Sequence, residues 1–339
     1  FDINDLDETL PGPWEWDVKR LAASIYVAGR NNGFAEPDSR NAVLAAVRSY
    51  RQRMAEFADM RHLDVWYTHV TVNDLLNLIS NKQDKKQAEK QVAKVRQRDS
   101  LQALAKMTEV VDGHRVFIND PPVVMRVTED MIGAEVRTLL DEYMLTLRGA
   151  QSQLLENFQF VDAAQKVVGV GSVGTACFIV LMTGRDESDP LILQVKEAEA
   201  SVLETQLPKS TFKHHGERVV RGQELMQAAS DIFLGWMTGP RGRHFYWRQL
   251  RDMKGSVVVE DLTPSNLALY GGVCGWALAR GHARASGNAI EIAAYLGTND
   301  RFDQAIASFA EAYANQTERD HQALLNAIKS GRLTAAAAG

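Results

Sequence analysis

Apolar residues spaced three and four positions apart dominate both ends of the chain, and strand-like apolar runs dominate its middle. Trp14, Val18, Leu21 and Ile25 predict a helix over 14–27, entered through the turn Pro11-Gly12-Pro13. Ser39 stands as the N-cap of a long helix to about Met60, and Lys82 to Met107, rich in Lys, Gln and Ala, reads as another. Near Phe158 the character changes. Strands are predicted at Gln165–Val170, Ala176–Met182, Leu191–Val195, Ile232–Met237 and His244–Leu250, with one helix at about Glu217–Ala229 among them. Beyond Ser265 helical spacing returns and holds through Ile328. The expected fold is α+β: a small lobe over 158–256 with a five-stranded antiparallel sheet, set between helical stretches 1–157 and 257–339 that form one large lobe.

Composition narrows the function classes. Apolar residues make up 45% and charged residues 24% of 339, an ordinary globular balance. The longest apolar runs, such as Phe178 to Met182, are too short to cross a bilayer, and nothing resembles a secretory leader, so no membrane partner is expected. The chain opens at Phe1 rather than Met, so a natural N-terminus further upstream is expected. The two cysteines, Cys177 and Cys274, lack metal-ligand spacing, which points to a reducing compartment and a cytoplasmic protein. A net charge of -5 argues against nucleic acid as a partner, because phosphate contacts need a basic footprint. The basic run from Lys82 to Arg98 is interspersed with Asp84 and Glu89 and reads as a solvated helix face.

Gly169, Gly171 and Gly174 fit a G-x-G-x-x-G loop, with Ser172 inside it. A dinucleotide-binding loop must open a helix whose N-terminus holds the pyrophosphate. Thr175 to Met182 is instead β-branched and aromatic and ends in a turn. Glycines between two strands make a flap whose backbone amides close over nucleotide phosphates. The next run, Leu191 to Lys196, ends on a lysine in the context of the kinase V-A-I-K lysine. A carboxylate from the following helix would hold it. Glu217 is the best placed, with Glu197 and Glu224 as rivals. The order helix, strand, turn, strand that follows is that of a kinase small lobe, and Gln249 and Leu250 open a hinge, Gln249 to Asp252, facing the adenine.

The acidic opening, Phe1-Asp-Ile-Asn-Asp5-Leu-Asp7-Glu8 before Gly12-Pro13, resembles the metal-binding stretch of aminoglycoside-phosphotransferase-type kinases. That resemblance implies Asp5 as the Mg²⁺ ligand, with Asp7 as the second candidate. Phosphoryl transfer then requires Lys196 and Asp5 to converge on one triphosphate. The stretch precedes the small lobe instead of following it, and the helix Leu267 to Ala285 resembles the one that leads into a kinase catalytic loop. A circularly permuted kinase-like fold accounts for this order.

The strings Phe1-Asp-Ile-Asn-Asp-Leu-Asp-Glu, Gly12-Pro-Trp-Glu-Trp-Asp-Val, Leu193-Gln-Val-Lys-Glu-Ala, Gly222-Gln-Glu-Leu-Met-Gln-Ala-Ala-Ser-Asp and Arg248-Gln-Leu-Arg-Asp-Met-Lys resemble a bacterial family called domain of unknown function 2252, over essentially the whole chain. In that family a Gly-Asp-x-His-x-x-Asn segment, similar to a kinase catalytic loop, lies just upstream of the acidic stretch. The general base is therefore expected before Phe1. The expected activity is an ATP-dependent phosphotransferase that uses ATP or another nucleoside triphosphate with Mg²⁺, on an unknown small-molecule or protein acceptor. The rival is a nucleotide-binding pseudokinase or scaffold. His214 and His215 read as a surface loop pair, and His282 and Asp17 as structural.

Overall fold

The computed structural model describes residues 1–79, 81–96, 100–127, 138–167, 174–250 and 257–334. In chain order its principal elements are α1 (Trp14–Asn31), α2 (Glu36–Ala58), α3 (Lys82–Arg96), α4 (Ser100–Met107), β1 (Thr108–Val111), β2 (His114–Phe117), β3 (Val124–Arg126), β4 (Gln159–Lys166), β5 (Cys177–Thr183), β6 (Pro190–Glu197), α5 (His215–Met226), β7 (Gly235–Thr238), β8 (His244–Gln249), α6 (Pro264–Ser286), α7 (Ala289–Leu296) and α8 (Arg301–Lys329). Two units share the chain. One holds residues 1–3, 12–80 and 257–339, the other residues 4–11 and 81–256, so the segment 81–157 and the strap 4–11 pack with the strands.

The first unit is helical. Its core joins Val18 and Tyr26 of α1, Val43, Val47, Tyr50 and Met54 of α2, Leu267 and Ala279 of α6, and Ala307 and Ala310 of α8. α2 starts at Glu36 with a proline in its first turn, and Ala35 is its N-cap. Ser39, expected there, lies one turn inside, fully buried. Proline, which lacks an N–H, opened the helix earlier than the serine signal indicated. His282 of α6 is buried as expected, with Nδ1 2.8 Å from the Tyr50 hydroxyl and Nε2 3.1 Å from Asp17 Oδ2.

The second unit carries a six-stranded antiparallel sheet in the order β3-β4-β5-β6-β8-β7, and a separate two-stranded hairpin, β1-β2. Among the described residues the expected five-stranded sheet is thus corrected to six strands plus a hairpin. The extra edge strand is three residues long, too short for a recognisable alternation. The hairpin turns at Asp112-Gly113, both at positive φ (52° and 81°), the residue pair a two-residue hairpin loop favours. Of the single helix expected over 82–107 the structure describes α3 and α4, residues 97–99 lying outside the described residues. β4 begins earlier than its predicted strand, at Gln159. β5, β6, β8 and α5 fall within two or three residues of their expected ranges, while β7 begins at Gly235, later than the expected Ile232.

Pleating divides the sheet residues between two faces. Val180, Met182, Leu191, Leu193, Val195, Phe245 and Trp247 join one cluster with Tyr143 and Leu155. Ile179, Leu181 and Ile192 face the other way, under Leu104 of α4 and Phe117 of β2. Val219 and Val220 of α5 cover Tyr246 on that second face. Among the described residues no helix is long and apolar enough to cross a membrane.

Candidate functional site

On the second face, one end of the sheet is polar where the rest is apolar. Register places Cys177, Lys196 and Tyr246 side by side across β5, β6 and β8, and Ile179, Gln194 and Arg248 in the row behind them. Gln194, 1% exposed, donates to Cys177 Sγ at 3.5 Å and accepts from Arg248 Nε at 2.9 Å. Four polar side chains on a buried sheet face would be unfavourable unless they served one another or a further group.

That further group comes from the opening of the chain. Lys196 Nζ donates to Asp7 Oδ2 at 2.5 Å across 189 positions of sequence. The Tyr246 hydroxyl donates to Asp7 Oδ1, and Lys196 Nζ lies 5.7 Å from the Tyr246 ring centre. Burial pushes the Asp7 carboxyl up, but the Lys196 ammonium, the Tyr246 hydrogen bond and the Arg248 charge outweigh it and hold the carboxyl below its ordinary value. Burial, with the Asp7 charge beside it, raises the Tyr246 phenol well above its usual range. Burial also raises the Cys177 thiol, so it is no ready nucleophile.

The strap Asn4–Pro11 is fixed next to this row. The Ser201 hydroxyl donates to the Glu8 carbonyl and the Val202 amide to Glu8 Oε2, each at 2.8 Å. Arg218 of α5, 3% exposed, donates to the Thr9 carbonyl at 2.7 Å and to the Glu199 carbonyl at 2.9 Å. Asp5 sits two residues before Asp7 with an exposed side chain and a φ of 65°, a left-handed conformation that aspartate tolerates better than most residues.

The expected partner of Lys196 is corrected. Glu217 lies in the first turn of α5 with Oε1 3.7 Å from Arg221 Nε, and Asp7 holds the lysine instead. Glu197 follows Lys196 in the strand and therefore points to the opposite face, where it accepts from the Ala176 amide at 2.8 Å and Arg243 at 3.2 Å. Glu224 pairs with Arg148 and Arg221. Gly169, Gly171 and Ser172 lie outside the described residues, as does Asp252 of the expected hinge. Gly174 is described, at a φ of 97°. The residues after it form a turn and then β5, which removes the helix a dinucleotide loop requires. The Gln249 amide donates to Asp231 Oδ2 and the Leu250 amide to the Ile192 carbonyl, each at 2.8 Å.

His214 and His215 are not a surface pair. His214 caps α5 through Nδ1, its ring stacks on His244 at 3.9 Å, and both members of the pair are partly buried. Sequence reasoning missed Tyr246, Arg218, Ser201 and Thr9. An arginine beside Val219-Val220 between Gly216 and Gly222 was the available signal, since a charge in an apolar helix stripe needs a partner.

Among the described residues no three His, Cys, Asp or Glu side chains form a metal-binding group. Asp7 nonetheless suits magnesium, which takes one or two carboxylates and fills its remaining positions with phosphate oxygens and water. Each Asp7 oxygen accepts one hydrogen bond here and keeps a second lone pair. Lys196 spends one donor of three on Asp7.

The fold and site define a mixed α/β protein with a helical unit and an antiparallel-sheet unit, the latter presenting a partly buried lysine to a carboxylate from the opening strap. A family model described as an uncharacterized protein conserved in bacteria (DUF2252) matches residues 1–327, and the chain belongs to that family. No curated protein and no solved structure matches the chain.

Proposed function

We propose that the sheet unit binds a magnesium–nucleoside triphosphate at Lys196 and that the protein is an ATP-dependent phosphotransferase of permuted kinase-like arrangement, acting on a small molecule or a protein. The meeting of Lys196 with Asp7 carries this reading, because a strand-end lysine and an acidic strap are the two charges a triphosphate site needs together. The order of parts supports it: the meander β4-β5-β6 with glycines before β5, then α5, then the hairpin β7-β8 whose second strand returns beside β6. Lys196 would give its two remaining donors to phosphate oxygens. Asp7, with Asp5 as second candidate, would hold the cation, which when bound neutralises phosphate charge. Tyr246 orients Asp7 and keeps water from one side of it.

The test is thermal unfolding with ATP in the presence of Mg²⁺ or of EDTA, paired with a phosphate-transfer assay. Mg²⁺-ATP at about one hundred times its Kd should stabilise the protein by about 2.7 kcal/mol. Lys196→Met should remove that stabilisation. A wild-type protein that gains nothing from Mg²⁺-ATP ends the reading. One observation favours the pseudokinase alternative: both Asp7 oxygens are already engaged by the protein's own donors. Stabilisation without transfer to any acceptor, in a protein that carries the expected upstream general base, would decide for it.

A further inference from the structure

A lysine at the end of such a strand is ordinarily steadied by a glutamate of the neighbouring helix, yet α5 sends none to Lys196. What α5 contributes is Arg218 and Gly222, and both act on the strap. We infer that Arg218 and Gly222 are positioning residues that hold the strap Asn4–Pro11 in place, so that α5 governs Lys196 at one remove, through Asp7. For its functional meaning this rests on the nucleotide reading above; as a statement about Lys196 it stands alone.

The strap cannot hold itself. It has no helix or strand, and its one internal backbone hydrogen bond runs from the Thr9 amide to the Leu6 carbonyl at 3.1 Å. Fixing each of its residues opposes chain entropy, so external anchors must do the ordering. Two of them, Ser201 and Val202, grip Glu8. Beside these and the Lys196 and Tyr246 bonds to Asp7 stands Arg218, whose two terminal nitrogens tie the Thr9 carbonyl to the Glu199 carbonyl just beyond β6. Burial lowers the Arg218 guanidinium below its ordinary value, and the charges of Glu8, Glu204 and Asp7 oppose that shift. The cation and the acidic strap therefore depend on one another: without the strap a charge would be buried against neutral carbonyls.

Gly222 supplies the room. A Cβ built there would lie 2.3 Å from Thr9 Cγ2 and 2.6 Å from Thr9 Oγ1, closer than real contacts allow, so any other residue at 222 requires the Thr9 side chain to move. Thr9 is two residues from Asp7, so a strap displaced at Thr9 would draw on the carboxylate that Lys196 holds. A displacement of α5 is thus transmitted to the ammonium group without any residue of α5 touching it.

Native-state amine labelling reads this directly. The folded protein is treated with N-hydroxysuccinimidyl acetate and acetylation of Lys196 is followed by mass spectrometry, with exposed Lys213 as internal reference. Asp7→Asn should accelerate Lys196 labelling roughly tenfold, the scale of one lost charge-assisted hydrogen bond. Arg218→Met and Gly222→Ala should each do the same with Asp7 intact, and Arg218→Lys should recover part of the protection. Circular dichroism selects the variants that remain folded, and Gly222→Ala, which removes no polar group, serves if Arg218→Met does not. Acceleration in Asp7→Asn alone, with Lys196 still protected in the folded α5 variants, overturns the inference. Failure of the wild-type protein to bind Mg²⁺-ATP would end the nucleotide reading and leave the labelling result unchanged.

Discussion

Burial alone would push the Asp7 carboxyl up; it is held low because Lys196 and Tyr246 both donate to it. Replacing Lys196 with Met should therefore raise the Asp7 pKa, as ¹³C NMR titration of the carboxyl can follow. The sign matters for stability. A carboxyl whose folded pKa lies below its unfolded value stabilises the fold above about pH 3.9, and that contribution is lost as pH falls through the folded pKa. The Lys196→Met protein should lack this acid dependence. The Arg51–Asp303 pair of the helical unit is a stronger structural case. Asp303 is fully buried and takes Arg51 Nε at 2.9 Å and Nη2 at 2.8 Å. Asp303→Ala leaves a cation without its partner and should lower stability by about 3–5 kcal/mol in urea unfolding.

The cap of α5 links a helix end to pH. His214 Nδ1 accepts from the Glu217 amide at 3.3 Å while Nε2 lies 3.1 Å from the Met237 carbonyl, an arrangement that requires a neutral ring protonated at Nε2. Burial, with His244 stacked beside it, lowers the His214 pKa to about 4. The unfolded chain takes up this proton near pH 6.5. The cap's contribution is thus complete above that pH, falls as pH drops from 6.5 towards 4, and is gone below it. His214→Asn keeps an acceptor for the cap and should flatten stability over that window, measured by denaturant unfolding at several pH values. In the β1-β2 hairpin, Gly113 has a φ of 81° with nothing within 4 Å of a built Cβ. Gly113→Ala should therefore cost about 1 kcal/mol through backbone strain alone.

The two units are interleaved along the chain, with residues 4–11 belonging to the unit otherwise formed by 81–256. A fragment spanning 81–256 would carry Lys196, Tyr246 and Arg218 without the carboxylate and carbonyl that satisfy them. A peptide covering residues 1–13 should then bind the fragment in trans and raise its melting temperature, by mass action, in proportion to the logarithm of peptide concentration. The same peptide with Asp7→Asn should stabilise it less. Equal stabilisation by both peptides would show that the strap docks through Glu8 and Thr9 alone.

The sequence by itself determined the elements whose signals are local. Apolar runs marked β5, β6 and β8, helical spacing marked α1, and a lysine closing an apolar strand marked Lys196. The Asp112-Gly113 pair is itself a hairpin signal, but it lay beyond the helix read as far as Met107, in a stretch for which no element was predicted. Pairing across the chain was decided only by tertiary structure. Glu217, Glu197 and Glu224 were each nearer to Lys196 in sequence than Asp7 was, and nothing in a local pattern ranks a carboxylate 189 positions away. Pleating turned Glu197 to the other face, the first turn of α5 gave Glu217 to Arg221, and the open side of Gly222 let the strap approach until Asp7 met the lysine. An ion pair is selected by which groups the packed backbone brings within about 3 Å, and that distance exists only once the sheet, the helix and the strap are assembled.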